Sequence, residues 1–226
     1  VVVHPQIAYP TYDVGARLAG AEPFPADATT AVGPGPVRLV WLNSPGNPDG
    51  RVLGVDALRA AVARARELGA VIVGDECYAE FGWEEPWRSE RIPSVLDPRV
   101  VGDDHRGVLA IYSLSKQSNL AGYRAAFLAG DQQVVDQLLT VRKHAGLMLP
   151  APVQAAMVAA LSDEAHVDAQ RERYRARRDV LRPALEAAGY TVEGSEAGLY
   201  LWVTRGVDAW QSVAEFAGLG IVVGPG

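Results

Sequence analysis

The sequence predicts an α/β fold: a mostly parallel central sheet flanked by helices, followed by a smaller α+β block. Three observations carry this. Short apolar or β-branched runs, bounded by Gly, Pro, Asp or Ser, recur up to about residue 130. Between two of them lies a segment with helical periodicity, and strand, helix, strand at that spacing is a βαβ crossover, which implies parallel strands. Beyond residue 150 the pattern changes to long helical segments with only short strands among them.

In order along the chain, residues 1–4, 37–43, 70–75, 108–112 and 125–129 read as strands. Residues 55–68 form the crossover helix: Leu58, Val62, Ala65 and Leu68 fall three or four apart, and Gly69 ends it. Residues 152–161 read as a helix of small residues and 164–188 as a long one rich in Arg. Residues 190–193 and 199–204 read as strands, 209–217 as a helix and 221–223 as a last strand. The expected division is a larger domain over residues 1–165 and a smaller one over 166–226. In open parallel sheets ligands bind beyond the carboxyl ends of the strands. The segments to inspect are therefore 43–50, 75–81 and 113–124.

The 226 residues are 49% hydrophobic and 21% charged, within the range of globular domains. A net charge of −6 argues against a nucleic-acid or anionic-membrane surface. No apolar run approaches the length of a membrane span. The single cysteine, Cys77, leaves no internal disulfide framework, so a reducing cytoplasm is the expected compartment. His4, His105, His144 and His166 are scattered, and no metal site is expected. The chain opens on a strand already under way and closes on Gly224-Pro225-Gly226, so both ends read as cut from a longer polypeptide.

Lysine usage is the strongest local clue. Of 21 Lys and Arg residues only Lys116 and Lys143 are lysines. Lys116 sits in Ser113-Leu114-Ser115-Lys116, directly after an apolar strand. A primary amine can lose its proton and attack a carbonyl to form an imine, which guanidinium cannot do. The plainer alternative is a solvated lysine or a point charge for phosphate. Ser113, Ser115 and Arg124, in Gly122-Tyr123-Arg124, add hydroxyls and a forked cation suited to a phosphate dianion. Asp75 ends its apolar strand, where it either pairs with a protonated ring nitrogen or caps a helix. Tyr78 points into the same crevice or packs in the core. Asn47, in Asn43-Ser44-Pro45-Gly46-Asn47-Pro48-Asp49-Gly50, lies in a turn dense in Pro, Gly and Asn that aims its amide at a ligand or merely reverses the chain.

Taken together and in order, Asn47-Pro48 with Gly50, then Asp75 and Tyr78, then Ser113-Leu114-Ser115-Lys116 with Gly122-Tyr123-Arg124, resemble the class I/II aminotransferases of fold type I, which depend on pyridoxal phosphate. The signal covers about residues 1–130; Tyr174, Arg178 and Asp179, with Gly198-Leu199-Tyr200-Leu201-Trp202, look like the linker and small domain of the same family. The resemblance implies that Lys116 holds the cofactor as a Schiff base and moves a proton between substrate Cα and cofactor C4′. It further implies Asp75 at the pyridine nitrogen, Asn47 and Tyr78 at the ring 3-oxygen, Ser113, Ser115 and Arg124 at the phosphate, and Tyr9 stacked on the ring. Tyr9 is otherwise a turn aromatic at the core edge. The family's upstream phosphate-binding turn and its downstream arginine for the substrate carboxylate have no counterpart in residues 1–226, and both are expected beyond them.

By the same resemblance the enzyme is expected to be a homodimer that exchanges an amino group between an amino acid and a 2-oxo acid. The run of residues 8–20 and of 41–48 looks like the succinyldiaminopimelate aminotransferases of lysine biosynthesis, which implies N-succinyl-LL-2,6-diaminopimelate with 2-oxoglutarate and glutamate. Two alternatives stay open: another aminotransferase or a C–S lyase of this fold, and a pyridoxal phosphate-binding effector domain of a transcription regulator. The cofactor carries the chemistry in all of them, and the protein selects the bond that breaks.

Overall fold

In the computed structural model, which describes residues 1–30 and 33–226, the apolar runs of the first half become one six-stranded sheet. Its elements are β1 (Val2–His4), α1 (Thr11–Leu18), β2 (Pro23–Pro25), β3 (Leu39–Asn43), α2 (Val55–Leu68), β4 (Val71–Asp75), α3 (Pro98–Val101), β5 (Val108–Ser113), α4 (Leu114–Gln117) and β6 (Ala126–Gly130). The strand order is β2-β1-β3-β4-β5-β6. All neighbours run parallel except β6, which is antiparallel to β5. Parallel pairing puts the carboxyl ends of β1, β3, β4 and β5 on one edge. Asn43 faces Asp75 across β3 and β4, and Asp75 faces Ile111 across β4 and β5.

The core explains the choice of strands. Val3, Val40, Leu42, Ile72 and Val108 are buried within the sheet, and α2 lays Leu58, Ala61, Val62 and Ala65 against them. Each of the Val, Leu and Ile side chains removed from water contributes roughly 1.5–3 kcal/mol. The α2 helix ends at Gly69, as its sequence requires, in the left-handed conformation.

The second half holds α5 (Gln132–His144), α6 (Ala151–Leu161), α7 (Ala165–Ala187), β7 (Thr191–Glu193), β8 (Trp202–Thr204) and α8 (Ala209–Gly218). β7 and β8 pair in a separate antiparallel ribbon. Residues 221–223, expected as a strand, are not one. Ile221 N instead donates to Phe216 O at the end of α8, and β propensity makes no strand without a neighbour to complete its ladder. The expected strand at 199–204 begins only at Trp202. Among the described residues no helix is long and apolar enough to cross a membrane.

Candidate functional site

Three loops leave adjacent strand ends on one edge of the sheet. The first follows β3. Asn43 is buried there and organises the turn: its Nδ2 donates to Pro45 O and to Asp75 O, both at 3.1 Å, and its Oδ1 accepts from Asn47 N at 2.7 Å. Asn47 is thereby held with its amide toward the next loop, where Nδ2 donates to the Tyr78 hydroxyl at 3.2 Å. Gly50 takes φ +67, and an added Cβ there would lie 2.3 Å from Ala197 O. The turn thus needs glycine for its backbone and for the close approach of residues 195–197.

The second loop follows β4. Asp75 Oδ2 accepts from the Tyr12 hydroxyl at 2.7 Å, and Oδ1 from Cys77 N at 3.3 Å. No helix begins at Asp75, so the capping alternative falls away. Tyr12 lies in α1, is buried, and packs on Trp41 with ring centroids 5.0 Å apart. Burial pushes its phenol well above the ordinary tyrosine range, and the Asp75 charge adds to the rise. It stays a donor at every working pH. Burial likewise raises the Cys77 thiol, followed by the effect of Asp75, so the thiol remains protonated and is a poor nucleophile. Tyr78 is buried, and burial first, then the neighbouring Tyr200, pushes its phenol up as well.

The third loop follows β5. Lys116 sits on the one-turn α4, where a loop was expected. Ser113 caps α4: its Oγ accepts from Ser115 N at 3.2 Å and donates to Ser115 Oγ at 2.8 Å. Arg124, exposed and in the left-handed backbone region at φ 54, donates from Nη1 to Ala121 O at 3.1 Å. Among the described residues neither Lys116 nor Arg124 forms a salt bridge, although most arginines do. Tyr9 is exposed beyond β1, edge-on to Tyr12 at a centroid distance of 6.4 Å.

Of the residues singled out in the sequence, the structure joins Asn47 to Tyr78 directly. It sets Asp75 on the strand between those that lead to Asn47 and to Lys116. Tyr9 and Arg124 stand at the rim and touch none of the others by hydrogen bond. Sequence reasoning missed Tyr12 and Asn43. The only local signal for Tyr12 was its place three residues after Tyr9 in an aromatic turn. Among the described residues no cluster of three or more His, Cys, Asp or Glu could hold a metal ion. The donor set suits instead a flat cationic heterocycle with an anionic tail. A fixed carboxylate can meet a ring N–H, an amide and a phenol can meet a ring oxygen, and two hydroxyls with the Arg124 guanidinium can meet phosphate, with the Lys116 amine on the same short helix as Ser115.

The family model described as "Aminotransferase class I and II" matches residues 1–224. The chain is 58% identical over 225 residues to the 4-dedimethylamino-4-oxo-anhydrotetracycline transaminase OxyQ of Streptomyces rimosus, covering all of this chain and 61% of that protein. It is also 58% identical to a probable aminotransferase of Mycobacterium tuberculosis, again over the whole chain and 53% of the relative. Among solved structures, an N-succinyldiaminopimelate aminotransferase of Mycobacterium tuberculosis superposes with a TM-score of 0.84 at 25% identity, covering 98% of this chain and 61% of that one. The chain therefore spans little more than half the length of the relatives it matches.

Proposed function

The chain belongs to the class I and II aminotransferases, a family of type I fold that depends on pyridoxal phosphate, and from that premise we propose that it forms the cofactor-binding core of an enzyme transferring an amino group between an amino acid and a 2-oxo acid. The observation that carries the reading is the convergence of Asn47, Asp75, Tyr78 and Lys116 on the carboxyl ends of neighbouring parallel strands.

When bound, pyridoxal phosphate draws electrons from the substrate's Cα and so weakens the bond to its proton. The protein does the rest. Lys116 would hold the cofactor through Nζ, and its amine, once free, would serve as the base that moves the substrate's Cα proton. Asp75 would accept from the pyridine N–H and keep the ring nitrogen protonated, its carboxylate aimed by Tyr12 and Cys77 N. Asn47 and Tyr78 would bind the ring 3-oxygen. Ser113, Ser115 and Arg124 would hold the phosphate, and Tyr9 would cover a face of the ring.

Within this reading residues 1–165 are the cofactor-binding unit and 166–226 a smaller unit, in a cytoplasmic homodimer. The first substrate to try is N-succinyl-LL-2,6-diaminopimelate with 2-oxoglutarate, supported by the likeness to the solved enzyme that carries that name. A polycyclic ketone acceptor is the second, favoured by the higher identity to OxyQ.

The test uses the complete protein loaded with pyridoxal phosphate. Borohydride should fix the cofactor to the peptide that contains Lys116, and Lys116→Ala should lose both the attachment and roughly a thousandfold of turnover. A competent amino donor should convert the visible absorbance to that of the amine form. Label retained by Lys116→Ala would defeat the assignment. Conversion by no amino donor would favour a binding domain without turnover, and release of ammonia and a thiol from a thioether amino acid would favour a C–S lyase.

A further inference from the structure

Residues 194–200 cross from the second half of the chain onto the loops that carry Asn47 and Tyr78. Ser195 N donates to Asp49 O at 2.6 Å, Ala197 N to Gly50 O at 2.9 Å and Gly198 N to Phe81 O at 2.9 Å; Trp83 N donates back to Glu196 O at 2.9 Å. At the centre of this seam Ser195 is 0% exposed and holds φ 68. That backbone region is costly for any residue with a Cβ, and a buried non-glycine residue there calls for a reason.

What serine adds over glycine is a hydroxyl. Ser195 Oγ donates to Tyr200 O at 3.1 Å and accepts from Arg178 Nη1 at 3.4 Å, while Arg178 Nη2 donates to the Ser195 carbonyl at 2.6 Å. Arg178 comes from α7 and is anchored further by Glu84 at 3.7 Å. The Tyr200 ring stands edge-on to Tyr78, with centroids 6.4 Å apart at 68°, so the two rings pack against each other. Tyr78 then accepts from Asn47. An unbroken series of contacts runs from α7 to the Asn47–Tyr78 pair.

We propose that Ser195 is a positioning residue of the cofactor site: clamped by Arg178, it fixes the backbone of Tyr200, and Tyr200 fixes the Tyr78 phenol beside Asn47. The proposal rests on the reading of Tyr78 and Asn47 as the groups that bind the cofactor's 3-oxygen. A donor held at that oxygen favours its ionised form. Loosening Tyr78 should therefore raise the pH at which the visible absorbance of the bound cofactor changes, which a purely structural serine would not do.

The experiment compares wild type, Ser195→Gly, Tyr200→Ala and the double variant as complete, loaded proteins. Ser195→Gly relieves the backbone and removes only the hydroxymethyl group, so its thermal midpoint should match or exceed wild type. Its absorbance midpoint should rise by about half a pH unit or more, a roughly threefold change in the ionisation constant. Tyr200→Ala, which removes the ring packed on Tyr78, should give the same rise, and the double variant no more than either alone, because the residues act in series. An unchanged midpoint in Ser195→Gly, or additive shifts, overturns the proposal while leaving the cofactor reading intact. Should Ser195→Gly fail to fold, Arg178→Lys, which keeps the charge but not the forked donors, carries the same expectation. A wild-type protein that takes up no pyridoxal phosphate overturns the cofactor reading and this proposal together.

Discussion

Tyr12 buries its phenol behind Asp75 and donates to Oδ2 at 2.7 Å, a contact between residues 63 apart in sequence. Among the described residues the Asp75 carboxylate keeps only the Cys77 amide at 3.3 Å when that hydroxyl is gone. A hydrogen bond to a charged group contributes about 1.5–3 kcal/mol in place. Part of this is recovered by water, so Tyr12→Phe should weaken cofactor binding by roughly tenfold, about 1.4 kcal/mol, without unfolding the protein. Titration of the cofactor-free protein with pyridoxal phosphate measures it, and an affinity equal to wild type would show that Asp75 needs no second support. The same contact marks where sequence reading stopped. Lys116, Asp75 and Asn47 stood out because each follows an apolar strand within a local pattern. Tyr12 and Ser195 act through Asp75 and Arg178, partners brought near by folding, whereas Asn43 acts mostly on its own turn, where a run dense in Pro and Gly hides its role.

Strands and helices divide along the same line. β3, β4 and β5 were readable because a strand buried on both faces is written as a continuous apolar run. α2 was readable because one face is apolar at helical spacing. α1, with Pro10 at its start and Gly15 inside, carries the very residues that signal a turn, and α5 buries no residue at all, so neither left a pattern to follow. What starts α5 is a cap. Asp131 Oδ1 accepts from Gln133 N at 2.9 Å and Val134 N at 3.4 Å, and Oδ2 accepts from Gly107 N at 2.7 Å. These amides, Gly107 foremost, hold its carboxyl below the ordinary aspartate range. A carboxyl depressed in the folded state stabilises the fold above its unfolded pKa, near 3.9, and that contribution disappears as pH falls through the folded value. Asp131→Ala should cost about 1 kcal/mol at pH 7, and the difference from wild type should shrink at pH 2–3. Urea unfolding at the two pH values tests this; a penalty that is the same at both would mean that the charge is not what the amides hold.

At the scale of the molecule, the candidate site belongs to both halves of the chain. Asn47, Asp75 and Lys116 come from the sheet, while Arg178, Ser195 and Tyr200 come from beyond residue 165, and backbone bonds such as Ala197 N to Gly50 O join the two. A ligand seated among the sheet loops is therefore felt across that seam. Binding to the folded state alone adds RT ln(1 + [L]/Kd), about 2.7 kcal/mol at a hundredfold excess over Kd. For a domain of this size each kcal/mol raises the unfolding midpoint by about 2–4 °C. Pyridoxal phosphate at that excess should thus lift the whole unfolding transition of the complete protein by roughly 5–10 °C, with residues 1–165 and 166–226 melting together. Lys116→Ala should lose most of the rise, since the covalent hold goes with the amine. Differential scanning calorimetry with and without cofactor makes the comparison. Two separate transitions, with only one displaced by pyridoxal phosphate, would show that the bonds between residues 194–198 and the loops after β3 and β4 do not couple the halves, and the seam would then be a contact rather than a shared part of the site.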